Sequence, residues 1–370
     1  LGTFGRGFYV LDDYSVLRSI ENSDMDPAAK IFDIRDALMW EKANPLGLPG
    51  KAFQGDNFYL AENLDPVAIF TYYFDEKFES LKSKRQKAEK KLIKESKDVS
   101  YPTYNELFDE INEAKPELVF TIRDNKDNVV KKIYRSLSKG LSRFHWDLRY
   151  EDKNPINLSS PSFYNPFAGV SEGTLVNPGT YSIDMSILKA GETTKVTDPQ
   201  SFNVVALNNT VMPADDRESK VNFQRKVSKL QAEMGEYSRK FSEISNKMPY
   251  IDEAIKKVEQ PVDKISKMAW DVKQSIKEVN LKFYGDNVKS RLDIQSYLSP
   301  YSRLGSVAYY QKYSTAAPTK THMDSYEIAN EEFQPIKLMI DELKVKMTDL
   351  ENQLKDMGAA YTPGRPKAIN

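Results

Sequence analysis

The sequence predicts a mixed β and α, multi-domain chain, in which a β-sandwich with a helical-hairpin insertion precedes an antiparallel three-helix coiled-coil bundle. Three observations carry that prediction. Short runs rich in β-branched and aromatic residues recur from Val67 to Val205, separated by turn signals. A heptad-like apolar rhythm starts at Phe223 and recurs in separate series as far as Met357. The 370 residues exceed what one core organises, since a domain takes roughly 100–200.

Residues 1–20 open on Gly2-Thr3-Phe4-Gly5-Arg6-Gly7, a glycine-rich turn feeding an apolar strand over Phe8–Leu11, and Ser15–Ile20 read as a short turn. That strand has no partner before it and the chain begins without Met, so a fragment of something longer is expected. Residues 21–65 read as a linker, because Pro45, Gly47, Pro49, Gly50 and Gly55 leave no room for a long regular element.

The sandwich spans residues 66–210. Val67–Phe74, Glu117–Asp124, Val129–Tyr134, Ser142–Leu148, Thr180–Leu188 and Gln200–Val205 are its strands, in the manner of an immunoglobulin or fibronectin type III domain. Asp124–Asn128 closes a hairpin, and Asn177-Pro178-Gly179 is a turn in which glycine takes positive φ. The insertion, residues 76–115, divides by charge. Lys82–Lys97 holds eight basic and two acidic side chains, and Asp98–Glu117 holds six acidic and one basic. Phe78, Leu81, Arg85, Ala88 and Leu92 follow at helical spacing, and Tyr101-Pro102 ends that helix before a second one bearing Leu107, Phe108 and Ile111. The lysine run reads as a polyanion patch or as a solvated face neutralised by its acidic partner, and the second reading is preferred.

The bundle spans residues 211–358. Phe223, Val227, Leu230, Met234, Tyr237, Phe241, Ile244 and Met248 are spaced alternately by four and three. The rhythm resumes over Ile251–Val279 and again over Phe333–Met357. Pro249 lacks the amide hydrogen a helix interior requires, so Asn246–Pro249 is expected to be a hairpin turn, while Pro261 and Pro335 should kink their helices or mark their starts. A tyrosine-rich connection, residues 296–318, shows little helical period, and residues 359–370 form a tail.

Chemistry is sparse. The balance of 53 basic against 54 acidic residues, 53 − 54 = −1, disfavours a nucleic-acid partner. No apolar run approaches the roughly 18–20 residues of a membrane span, so the chain is not expected to be membrane-spanning. Nor does a secretory leader open it, and neither fact places it in the cytoplasm. Cysteine is absent, and His145 and His322 are the only histidines, so no metal or cofactor site and no catalytic residue is assigned. The opening glycines lack the Lys and Ser/Thr of a phosphate loop. Asp12 and Asp13 point to opposite faces of a strand and suit backbone amides. Asp124 and Asp127 lack the ligand rhythm of a calcium loop.

In His145-Trp146-Asp147, alternation sends Trp146 to the core and His145 and Asp147 to the other face, as a satisfied His–Asp pair. Trp146, Asp147 and Arg149 are therefore read as structural anchors. Tyr297, Tyr301, Tyr309, Tyr310 and Tyr313 form the candidate interaction surface, because a phenol ring offers an apolar face and a polar tip, although packing over the sandwich or the bundle is the commoner use of such a segment.

Several motifs carry a family resemblance. Gly2–Asp13 followed by Leu17-Arg18 resembles the closing strand of the β-propeller in large bacterial proteins of the sortilin-like, sialidase-repeat class, many named glycosyl hydrolases. Ala68–Tyr73, Tyr101–Leu107, Ser138–Tyr150, Asn177–Tyr181 and Tyr361–Arg365 resemble the C-terminal region of those proteins. The resemblance implies that residues 1–20 end a propeller lying upstream, and that the parent is an extracellular or cell-envelope protein of Bacteroidetes type. It carries no catalytic residue over, because only Arg6 of a sialidase's arginine cluster has any counterpart here. The function expected is a noncatalytic structural or interaction region that braces the propeller or binds a cell-surface protein or glycan. The alternatives are part of a glycoside hydrolase whose catalytic residues lie upstream, and a subunit of an outer-membrane or secretion-associated assembly.

Overall fold

The computed structural model describes residues 2–5, 7–8, 13–22, 28–40, 64–159, 163, 172–207, 212–312 and 314–364. The chain is a mixed α and β protein that divides into two units, Leu1–Glu151 with Leu175–Asn209, and Asp152–Thr174 with Thr210–Asn370.

The first unit opens on a hairpin of β1 (Gly2–Thr3) and β2 (Gly7–Phe8), where Gly5 and Gly7 take φ of 73° and 83°. Residues 9–12 of the expected strand lie outside the described residues. Where a short turn was expected the chain forms helix α1 (Ser15–Asn22). Asp13 explains it: its Oδ1 accepts from the Ser15 amide at 3.0 Å and the Ser15 hydroxyl at 2.6 Å, supplying a partner that a first turn lacks. Two strands, β3 (Ala29–Ile31) and β4 (Ala37–Met39), fall within the stretch read as a linker, because Ile31, Ala37 and Met39 have a core to enter.

Two sheets then share one apolar cluster. The larger has the order β4, β11 (Gln200–Ala206), β9 (Gly179–Lys189), β6 (Glu117–Asp124), β7 (Val129–Ser136), with β10 (Glu192–Lys195) also paired to β9. The smaller runs β3, β5 (Ala68–Phe74), β8 (Gly140–Trp146). Alternation explains the inner faces: Phe70, Tyr72 and Phe74 of β5 point one way, and Leu118, Phe120 and Ile122 of β6 meet them. Rings cross between the sheets, Phe70 on Phe202 at 5.2 Å and Tyr72 on Phe120 at 4.8 Å between centroids. Each such buried ring contributes about 1.5–3 kcal/mol of burial energy.

Between β5 and β6 stands the helical hairpin, α2 (Leu81–Lys94) and α3 (Tyr104–Asn112). Ser80 caps α2, and Thr103 with Glu106 closes a capping box on α3. Arg85 joins the helices, its Nη2 donating to Glu110 at 3.0 Å while its other nitrogens reach Glu110 and Glu89. Neither helix holds a buried residue.

The second unit is helical, with α4 (Arg217–Lys256), α5 (Asp263–Tyr284), α6 (Asn287–Arg291), α7 (Pro300–Lys312) and α8 (Lys320–Asp356). Side-chain bonds set the directions. Lys337–Glu233, Tyr237–Asp341 and Lys247–Glu351 share an offset of 104, so α4 and α8 run parallel. Lys282–Met339 and Lys346–Ser275 cross in the opposite sense, so α5 is antiparallel to α8. Helix α5 ends where Tyr284 meets Ser238, and α7 starts there, with Tyr301 against Phe283. It then descends to Gln224 and His322. Two helices thus fill the third column in turn. Their 22 and 13 residues, at about 1.5 Å each, match the 37 of α8.

Two expectations are corrected here. Residues 246–249 form no hairpin turn, since α4 runs through Pro249 to Lys256. Burying Met248, Ile251 and Ala254 on one continuous face outweighs the one backbone bond that proline removes. The break comes instead at residues 257–262, and Pro261 precedes the start of α5, whereas Pro335 sits inside α8. The tyrosine-rich connection is not loop throughout, for α7 occupies its centre. Leu304, Val307 and Gln311 supply the buried face, at spacings of three and four.

Candidate functional site

The anchors lie in the first unit, where a corner follows β8. Trp146 is buried, and its indole Nε1 donates to the Arg149 carbonyl at 2.9 Å. Asp147 Oδ1 accepts from the Arg149 amide at 3.2 Å, which folds the chain back over the ring. Leu148, fully buried, takes φ of 57° between them, and the strand alternation stops there. The expected His145–Asp147 pair is therefore not the contact made. Both carboxylate oxygens of Asp147 receive Lys131 Nζ at 3.1 Å, and His145 is exposed. The Arg149 backbone bridges to Leu175. These residues form a packed corner held by hydrogen bonds.

Tyr181 builds a second corner. Its hydroxyl donates to the Asn177 carbonyl at 2.6 Å across the Pro178-Gly179 turn, and burial raises the phenol above its ordinary value, so it remains a neutral donor.

The tyrosines lie in the second unit and separate into groups. Tyr297 is 96% exposed ahead of α7. Tyr309 and Tyr310 are exposed near its end, edge-on at 5.5 Å, and Tyr310 lies parallel to His322 at 6.2 Å. Tyr313 lies outside the described residues. Tyr301, at the start of α7, is held edge-on by Phe283 at 5.5 Å and Tyr284 at 5.2 Å, yet stays 43% exposed.

Tyr301 borders a cavity of about 500 Å3, within the roughly 300–1,000 Å3 usual for small-ligand sites. Its walls are α4, α7 and the segment from Asn154 to Asn157. Along α4, Gln231, Gly235, Ser238 and Ser242 follow at spacings of four, three and four, beside the apolar seam. Arg239 borders the same space and is exposed, with no salt bridge among the described residues. Met234 and Leu304, both buried, floor it. Ser238 Oγ accepts from the Tyr284 hydroxyl at 2.7 Å, and burial keeps that phenol above its ordinary value, so the serine retains its own proton to donate.

Two helical glycines shape the cavity. A Cβ on Gly235 would meet Pro155 Cδ at 2.9 Å, so this glycine admits the segment that forms the third wall. A Cβ on Gly305 would meet nothing within 4 Å, so packing does not require glycine there, though it costs about 1 kcal/mol against alanine in a helix. Sequence reasoning passed over this site. Its signal was the polar, small-residue stripe that accompanies the seam of α4.

Among the described residues no group of three or more His, Asp or Glu side chains is arranged to hold a metal ion, and no helix is long and apolar enough to cross a membrane. Comparison with protein-family profiles, with curated proteins and with solved structures finds no match to this chain.

Proposed function

We propose that this chain is a noncatalytic structural and interaction region of an extracellular or cell-envelope propeller protein, in which an immunoglobulin-like sandwich and a coiled-coil bundle present a surface to a protein or glycan partner. The observation that carries this reading is the placement of the tyrosines. Tyr297, Tyr309 and Tyr310 stay exposed at the two ends of α7, on a unit that also exposes Trp270, Leu338 and Val345, and Tyr301 edges a polar cavity. The buried Trp146 and the Tyr181 corner support the immunoglobulin-like part, since such corners accompany that sandwich.

Binding of the chain to a glycan array and to the envelope of intact bacterial cells tests the reading. Replacing Tyr297, Tyr309 and Tyr310 together by Ser should weaken retention while leaving the helical circular dichroism unchanged. Retention equal to that of the unaltered chain, or none by either protein, would overturn it.

A further inference from the structure

We infer that the cavity between α4, α7 and residues 154–157 binds a saccharide unit bearing a carboxylate, which rests on the glycan half of the proposed function. The argument begins with what the walls can recognise. Gln231 offers an amide that both donates and accepts, Asn157 its amide nitrogen, its Oδ1 being taken by Ser159, and Ser242 a hydroxyl oxygen that can accept, its hydrogen being donated to the Ser238 carbonyl. Met234, Leu304, Pro155 and the Tyr301 ring supply the apolar part of the lining.

The Tyr301 ring is fixed by Phe283 and Tyr284 before any ligand arrives, so the flat C–H face of a pyranose can lie on it without ordering a mobile side chain. Arg239 adds the charge. A guanidinium presents parallel N–H groups that match both oxygens of a carboxylate, and no carboxylate of the described residues is paired with it as a salt bridge. Gly305 is the independent sign. Its bare backbone faces open space at the cavity wall, where a side chain would stand in the ligand's place, and packing gives no other reason for glycine.

The test titrates the intact chain with a galacturonate trimer and with the neutral maltotriose, followed by nuclear magnetic resonance and calorimetry. The uronate should bind at least tenfold more tightly than the neutral trimer, and added salt should narrow the gap. Arg239→Gln should remove the difference, and Gly305→Leu should remove uronate binding with the melting temperature and helicity retained. The Tyr297, Tyr309 and Tyr310 triple variant should bind the trimer as the unaltered chain does. Equal binding of the two trimers, binding of neither, or uronate affinity indifferent to both cavity variants would overturn the inference. If array binding then still depends on the three exposed tyrosines, the cavity assignment fails and the proposed function stands.

Discussion

At the scale of single residues, the fold rests on side chains that close polar corners of the chain inside or against a core. Tyr181 joins the start of β9 to the turn before it by one hydroxyl bond to Asn177. Tyr181→Phe keeps the ring and leaves that carbonyl short of a donor, so urea titration should show a loss of about 1 kcal/mol with an unchanged slope. The Lys247–Glu351 pair is a sharper case, because Glu351 is 2% exposed and accepts from Lys247 at 3.0 and 3.3 Å. Lys247→Met should cost about 3 kcal/mol by stranding the carboxylate, and adding Glu351→Leu should recover most of it; equal losses in both proteins would deny the coupling. The sequence already marked Trp146 as a core residue through the two-residue period of its strand. The partner of Asp147 was hidden, because Lys131 comes from another strand and Leu148 interrupts the alternation that the local pattern assumes.

At the scale of elements, the apolar rhythm gave the long helices legibly but not their ends. Pro249 was the misleading sign. A helix-breaking residue carries a fixed local penalty, whereas the benefit of continuing depends on what Ile251 and Ala254 meet in other helices, which no local window contains. If α4 is continuous, Pro249→Ala restores the amide that can bond to the Ser245 carbonyl and raises stability by about 1–3 kcal/mol. Lower stability on urea titration would mean that the chain turns there after all. Helix α7 was obscured in the opposite way. Its buried face needs only Leu304, Val307 and Gln311, too few positions to stand out among five tyrosines. The helical hairpin shows its own dependence on charge. Arg85 holds the Glu110 carboxyl below its ordinary range, so the ion pair's contribution is present above the ordinary glutamate value and is lost as pH falls through the lowered one. Amide exchange across α2 and α3 should therefore stay slow through the ordinary glutamate range and quicken only below it. Arg85→Ala should quicken it at neutral pH without moving the global melting temperature, because neither helix contributes to a core.

At the scale of the whole molecule, two cores are threaded by one chain that passes between them more than once. Residues 152–174 leave the β unit after β8, belong to the helical unit, and return for β9. The segment's Pro, Gly, Ser and Asn mark a connection, but local composition does not say which core a connection joins. The seat of Pro155 is Gly235, where a Cβ would lie 2.9 Å from the proline ring. Gly235→Ala sets two effects against each other: about 1 kcal/mol gained in helix propensity, and the displacement of Pro155 by a methyl group fixed to a rigid helix. Displacement should prevail locally. Trypsin should then cut after Lys153 faster than in the unaltered chain, while exchange in β6 and β9 is unchanged because their apolar cluster draws on no residue of the helical unit. Should Lys153 resist cleavage equally in both proteins, the glycine is not what holds this segment, and the third wall of the cavity owes its position to other contacts.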